Sequence, residues 1–195
     1  GVTEHPELRD VVQQSPRDVL DQDHDPTDPL EDIGNPGHGT ATGSVVVSPE
    51  SGHVSGAAPR AVHMPIRAIR SVVRITQVSV AEAMDWAVDK GAHVISISLG
   101  GIFSFSLHRA LRRAVEANVI VLAAAGNCVR LVVWPARYDD CIAVAAVNNA
   151  DQPWKGSCRG AAVDVSAPGE NVFRARIGDP AVGQGQGTSF AVALT

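Results

Sequence analysis

Aromatic side chains are scarce in this sequence. Phe, Trp and Tyr make up 4% of its 195 residues, although 45% are hydrophobic. A core built mainly from Ala and Val suits helices packed closely on a parallel sheet. Long apolar runs are also missing. The longest, Val119–Ala125 and Cys141–Val147, fall far short of the roughly 20 residues that a membrane-spanning helix needs. No basic stripe interleaved with aromatics occurs, so a nucleic-acid partner has no support. Cysteine is limited to Cys128, Cys141 and Cys158. These lack the close pairs of a zinc site. One disulfide with one thiol, or three buried thiols acting as small apolar residues, both fit the set. Internal repeats and low-complexity segments are absent.

What is present is unevenly distributed. The net charge of −5 divides into −8 over residues 1–36 and +3 over the remainder. Residues 9–36 are polar, rich in Asp and Pro, and without periodicity, which predicts a long acidic surface loop. Asp21, Asp23 and Asp25 alternate like the opening of a calcium loop. Pro26 occupies the place where such a loop turns on Gly, however, and its twelfth position is Asp32 rather than Glu. No metal-ligand set is assigned.

From residue 60 onward, strands and helices alternate. Ala61–Ile69 reads as a strand. Ser79–Lys90 reads as a helix, with a Ser79/Glu82 capping box, an apolar stripe at Val80, Ala83, Met84 and Ala87, and Gly91 as its left-handed stop. Val94–Leu99 is the next strand. A helix through Leu107, Ala110, Leu111, Ala114 and Val115 follows, capped by Ser104 or Ser106. Val119–Ala125 and Cys141–Val147 are further strands. The rhythm predicts an α/β fold: one domain over 1–195, with a parallel sheet covered by helices on both faces. Ligands of such sheets sit at the strands' carboxyl ends. Leu99-Gly100-Gly101 and Gly126-Asn127 both fall there.

Three short segments carry candidate chemistry. In Gly187-Thr188-Ser189-Phe190-Ala191, Ser189 opens an apolar helix and is the candidate nucleophile. A hydroxyl needs an adjacent base to attack. The unpaired N–H groups of a helix start can hold a developing oxyanion. In Gly37-His38-Gly39-Thr40, His38 is the candidate base, because imidazole titrates near neutrality. In Ala123-Ala124-Ala125-Gly126-Asn127, the Asn127 carboxamide is a donor that requires no deprotonation. Each segment alone reads as well as a helix cap, a loop histidine or a turn. Together, in the order His…Asn…Ser, they point to acyl transfer.

That ordered set resembles the subtilisin-like serine protease family over nearly the whole chain. Ser96-Ile97-Ser98-Leu99-Gly100-Gly101 is similar to its cleft-lining strand, Ser166-Ala167-Pro168-Gly169 to the turn before its serine segment, and Gly1-Val2 with His5-Pro6-Glu7-Leu8 to the end of its first catalytic segment. The resemblance implies a three-layer subtilisin-like fold and a serine endopeptidase working through an acyl-enzyme on polypeptide substrates. Its catalytic residues would be His38, Ser189 and Asn127. Its cleft would be lined by Ser98, Leu99 and Gly100 on one wall and Ala125 and Gly126 on the other. No cofactor is required for that chemistry. Structural calcium is a family habit, as is export, and nothing in these residues fixes localisation. The family's proline shortly after the serine is missing, since Val192 and Ala193 follow Ala191. The catalytic Asp would precede the residue matching Gly1 by two positions. The resemblance therefore implies that an upstream segment supplies it on a strand absent here, and that these residues alone are inactive.

Other readings fit less well. A dinucleotide fold needs a strand before its glycine turn, and Asp32-Ile33-Gly34-Asn35-Pro36 is none. An α/β-hydrolase needs Asp and His after its serine. The standing alternative is a protease-like domain that binds a peptide or a partner without cutting it.

Overall fold

The computed structural model describes residues 1–31, 34–71, 73–74, 77–127, 131–178 and 181–195. Asp32 and Cys128, both considered above, lie outside the described residues. In chain order the elements are β1 (Arg17–Asp18), α1 (His38–Val47), β2 (Ile66–Arg67), β3 (Val73–Arg74), α2 (Val78–Asp89), β4 (Val94–Ile97) and β5 (Gly100–Gly101). They continue with α3 (Phe105–Glu116), β6 (Ile120–Ala124), β7 (Ile142–Val147), β8 (Val165–Pro168), β9 (Val172–Ala175), β10 (Val182–Gly185) and α4 (Thr188–Ala193).

The centre is a parallel sheet in the order β4-β6-β7-β8. Alternation along its inner strands explains the layers. Val121, Ala123, Ala143 and Ala145 face one core with Val80 and Met84 of α2 and Leu107 and Leu111 of α3. Leu122, Ala124, Val144 and Ala146 face the other, against Ala191 and Val192 of α4. Burial on both faces is why β6 and β7 read as unbroken apolar runs. Helix α1 packs on α4 through Ala41, Val45, Phe190 and Ala193.

Several expected boundaries change. The strand expected over Ala61–Ile69 is regular only at Ile66–Arg67, where it pairs with β1. The capping box on Ser79 does not form. Helix α2 starts earlier, with Gln77 as its cap and no side-chain capping bond, and the buried Ser79 hydroxyl has no hydrogen-bond partner among the described residues. Gly91 does adopt the left-handed conformation, at φ 77°, and Ser104 caps α3 by accepting from the Leu107 amide. Strand β4 departs from full cover on both faces. It is the outer strand of its sheet among the described residues, and Val94 is 52% exposed.

The open side of β4 borders a groove of about 1130 Å³. Ile66 and Ala68 form its far bank, Val94 to Ser98 its near bank, and His38 lies along its lining. In the acidic stretch 9–36, Asp18 is buried, bonds Arg67 and accepts from the Leu20 and Asp21 amides, so it fixes β1 against β2.

Candidate active site

His38 is the first residue of α1. Gly37 before it is left-handed at φ 73°, and a Cβ there would collide with Ile177, so the entry to the helix requires glycine. Asp28 steadies this turn by accepting from the Gly37 amide at 2.7 Å. Ser189 sits in the first turn of α4, where helix geometry leaves its N–H without an intrahelical acceptor.

The two side chains meet at one atom. The Ser98 carbonyl accepts from His38 Nε2 at 3.1 Å and from Ser189 Oγ at 3.4 Å. Ser98 Oγ in turn donates to the Ser189 carbonyl at 3.0 Å. Ser98 follows the end of β4, so strand direction delivers it to this rim. A carbonyl only accepts, so the bond assigns the imidazole proton to Nε2. Burial pushes the His38 imidazole below its ordinary value, and the Ser98 bond, which favours the charged ring, offsets only part of that.

Asn127 follows the end of β6, the neighbouring strand. Its Oδ1 accepts from the Thr188 amide at 2.9 Å and from Thr188 Oγ1 at 3.0 Å. The Gly126 amide donates to Thr188 Oγ1 at 3.1 Å. With Oδ1 so engaged, the amide nitrogen of Asn127 makes no bond among the described residues and lies next to Gly187. The carboxamide is exposed. Ser98 thus bonds Ser189 directly, with Leu99 and Gly100 following it in the chain, while Asn127 and Gly126, preceded by Ala125, bond the neighbouring Thr188. Leu99 and Ala125 pack into the larger core, so those two present backbone rather than side chain to the rim.

Three contributors carried no signal in the sequence. Thr188 clamps Asn127 to Gly126, yet reads locally as the residue before a serine. Val133 and Trp134 cross between the two walls. Val133 N–H donates to Ala125 at 3.1 Å, and Trp134 exchanges backbone bonds with Gly101. Gly101 and Trp134 are thirty-three positions apart, a pairing that no local pattern reveals.

Among the described residues, no group of three or more His, Cys, Asp and Glu side chains is arranged to hold a metal ion, and no helix is long and apolar enough to cross a membrane. Cys141 is buried, and burial with the nearby Asp164 pushes its thiol up to about 12.

Comparison with known proteins identifies the family and the fold. The profile of the subtilase family, peptidase S8, matches residues 1–195. A thermostable alkaline protease of Halalkalibacterium halodurans is 34% identical over 194 residues, covering 98% of this chain and 51% of the relative. Thermitase of Thermoactinomyces vulgaris is 35% identical over 173 residues, covering 87% of this chain and 60% of the relative. The chain therefore spans only about half to three fifths of these two relatives. Among solved structures, the protease domain of PatA (S218A mutant) superposes with a TM-score of 0.86 at 25% identity, covering all of this chain and 73% of that one. MycP1 with its propeptide removed gives 0.75 at 24% identity over all of this chain and 72% of that one, a likeness of fold alone.

Proposed function

The chain belongs to the subtilase family, and from that premise we propose that it carries most of a serine endopeptidase centre. His38 takes the proton of Ser189 Oγ, which attacks the peptide carbonyl. The Asn127 amide nitrogen and the Ser189 N–H hold the oxyanion. The imidazolium then protonates the leaving amine, and water, deprotonated by His38, releases the acid and restores Ser189. The observation that carries this reading is the shared Ser98 carbonyl, which brings imidazole and hydroxyl to one atom at the strand ends.

The same bond names what is missing. A general base needs its Nε2 lone pair free toward Ser189, whereas here Nε2 holds the proton and gives it to Ser98. A carboxylate at Nδ1 would move the proton to that nitrogen and reverse the tautomer. Asp28 is near enough for its charge to raise the His38 imidazole, but its oxygens bond the Leu30 and Gly37 amides and no bond from it to the ring forms among the described residues. The groove beside β4 supports a source. A strand parallel to β4 would end where β4 ends, beside Ser98 and His38, and an acid at that end would reach the ring. We therefore assign to an upstream segment the strand and the carboxylate, and expect residues 1–195 alone to be inactive.

The test is peptide hydrolysis by the full-length protein and by residues 1–195. The full-length protein cleaves, Ser189→Ala does not, and the isolated segment does not. Cleavage persisting in Ser189→Ala would overturn the assignment. The Nε2–Ser98 bond also favours a second reading, a peptide-binding domain that does not cut. Binding without turnover in the full-length protein would select it.

A further inference from the structure

The cleft walls are closer than their glycines suggest. Gly100 and Gly126 both abut the side chain of Val133 and share contact with its Cγ2 methyl. A Cβ on Gly100 would collide with that methyl, and one on Gly126 would lie 3.0 Å from it. The same position on Gly126 would be 3.1 Å from the sulfur of Cys158, a fully buried residue, so the slot is closed there as well. Glycine on both walls widens a slot, and here the width gained is taken up by the valine.

The valine has no easy way out. Its N–H is bonded to Ala125 at 3.1 Å, and its carbonyl accepts from Arg137 at 3.1 Å. The next residue is tied to Gly101 by a pair of backbone bonds at 2.9 and 3.3 Å. The Trp134 ring stands among Phe103 and Tyr138, with centroids 6.2 and 6.4 Å away. Both walls therefore hold the segment carrying Val133.

This slot adjoins the reacting groups. Gly126 bonds Thr188, the neighbour of Ser189, and Gly100 lies two residues beyond the Ser98 carbonyl that both His38 and Ser189 reach. A peptide whose carbonyl carbon meets Ser189 Oγ, with its oxygen toward Asn127, must lodge the side chain of that same residue between the two walls. We propose that Val133 fills this slot and restricts the residue before the cut to glycine or alanine. The inference rests on the endopeptidase reading above and deepens it by naming the substrate class. A rigid apolar slot discriminates by roughly 10–200-fold for a misfit of methylene size, and Phe or Leu exceeds the space by several such groups.

Two peptide substrates differing only in the residue before the cut, Ala or Phe, test this on the full-length protein. Wild type is expected to favour Ala by at least about 100-fold in kcat/KM. Val133→Gly should bring the ratio to within about tenfold of unity, and Val133→Ala should fall between. A ratio measured on one protein is unaffected by the fraction folded, so a poorly folding variant still reports. The same ratio is read as binding, by fluorescence anisotropy, on Ser189→Ala with peptides ending in Ala or Phe. Indifference or a preference for Phe in wild type, or an unchanged ratio in both Val133 variants, overturns the inference. Fluorophosphonate labelling of Ser189 tests the endopeptidase reading separately. A protein that fails to label but still binds the Ala peptide preferentially, with the preference lost in Val133→Gly, retains the slot assignment and loses the peptidase one.

Discussion

Asn127 is held by its acceptor so that its donor is free. Thr188 occupies Oδ1 through two bonds, which fixes the carboxamide orientation without using the amide nitrogen. Asn127→Leu should lower kcat of the full-length protein by about 10²–10³, the cost known for the oxyanion asparagine of subtilisin, and leave KM within about twofold. Thr188→Val should lower kcat in the same direction by loosening that orientation. A change confined to KM in either variant would count against the donor role. His63 makes a separate claim on pH. Burial pushes its imidazole down to about 4, and its Nδ1 has no hydrogen-bond partner among the described residues. An unfolded chain binds a proton there near pH 6.5 that the folded chain refuses. Stability should therefore be constant above that pH and fall as the pH drops from about 6.5 to about 4, by at most about 1.4 kcal/mol per pH unit. Urea melts across that range should lose part of this slope in His63→Gln, and an unchanged slope would contradict the assignment.

At the scale of elements, two serines that look alike in the sequence behave differently. Ser104 caps α3, so Ser104→Ala should cost about 1 kcal/mol in a chemical melt. The Ser79 hydroxyl is buried and unpartnered, so Ser79→Ala should be neutral or mildly stabilising. The sequence supports a cap at either, because the capping pattern reads only neighbours three residues away. The choice was made by where α2 begins, which depends on packing against α3. A similar limit applies to Glu7. Burial alone would raise its carboxyl, but the Val54 and His53 amides and the His53 ring outweigh that and hold it below the ordinary value. Its charge stabilises the loop after α1 at neutral pH, and that contribution is lost as the pH falls through its lowered titration. Glu7→Ala leaves buried amides unpaired and should cost about 1–3 kcal/mol. Melts at pH 7 that match wild type would argue otherwise.

Across the whole molecule, legibility followed the range of the interactions. The inner strands β6 and β7 and the stripes of α2 and α3 were readable because burial imposes a local period. The placement of Ser98 and Asn127 at one rim followed from strand direction alone. Illegible were the bridge from Trp134 to Gly101, the methyl of Val133 between two glycines, and the exposed flank of β4, all set by what the chain meets far along its length. That flank has its own consequence. Among the described residues β4 pairs with a neighbour on one edge only, and an edge left open beside apolar side chains is costly. A longer polypeptide that fills the groove should melt cooperatively and at a higher temperature than residues 1–195. Equal melting temperatures would show that the groove is not filled by it.

The convergence of imidazole and hydroxyl is tested most directly by mapping fluorophosphonate adducts on the full-length protein by mass spectrometry. The adduct should fall on Ser189 alone, form more slowly as the pH drops and His38 takes up a proton, and become undetectable in His38→Ala. An adduct on another serine, or equally fast labelling of Ser189 in His38→Ala, would contradict the account.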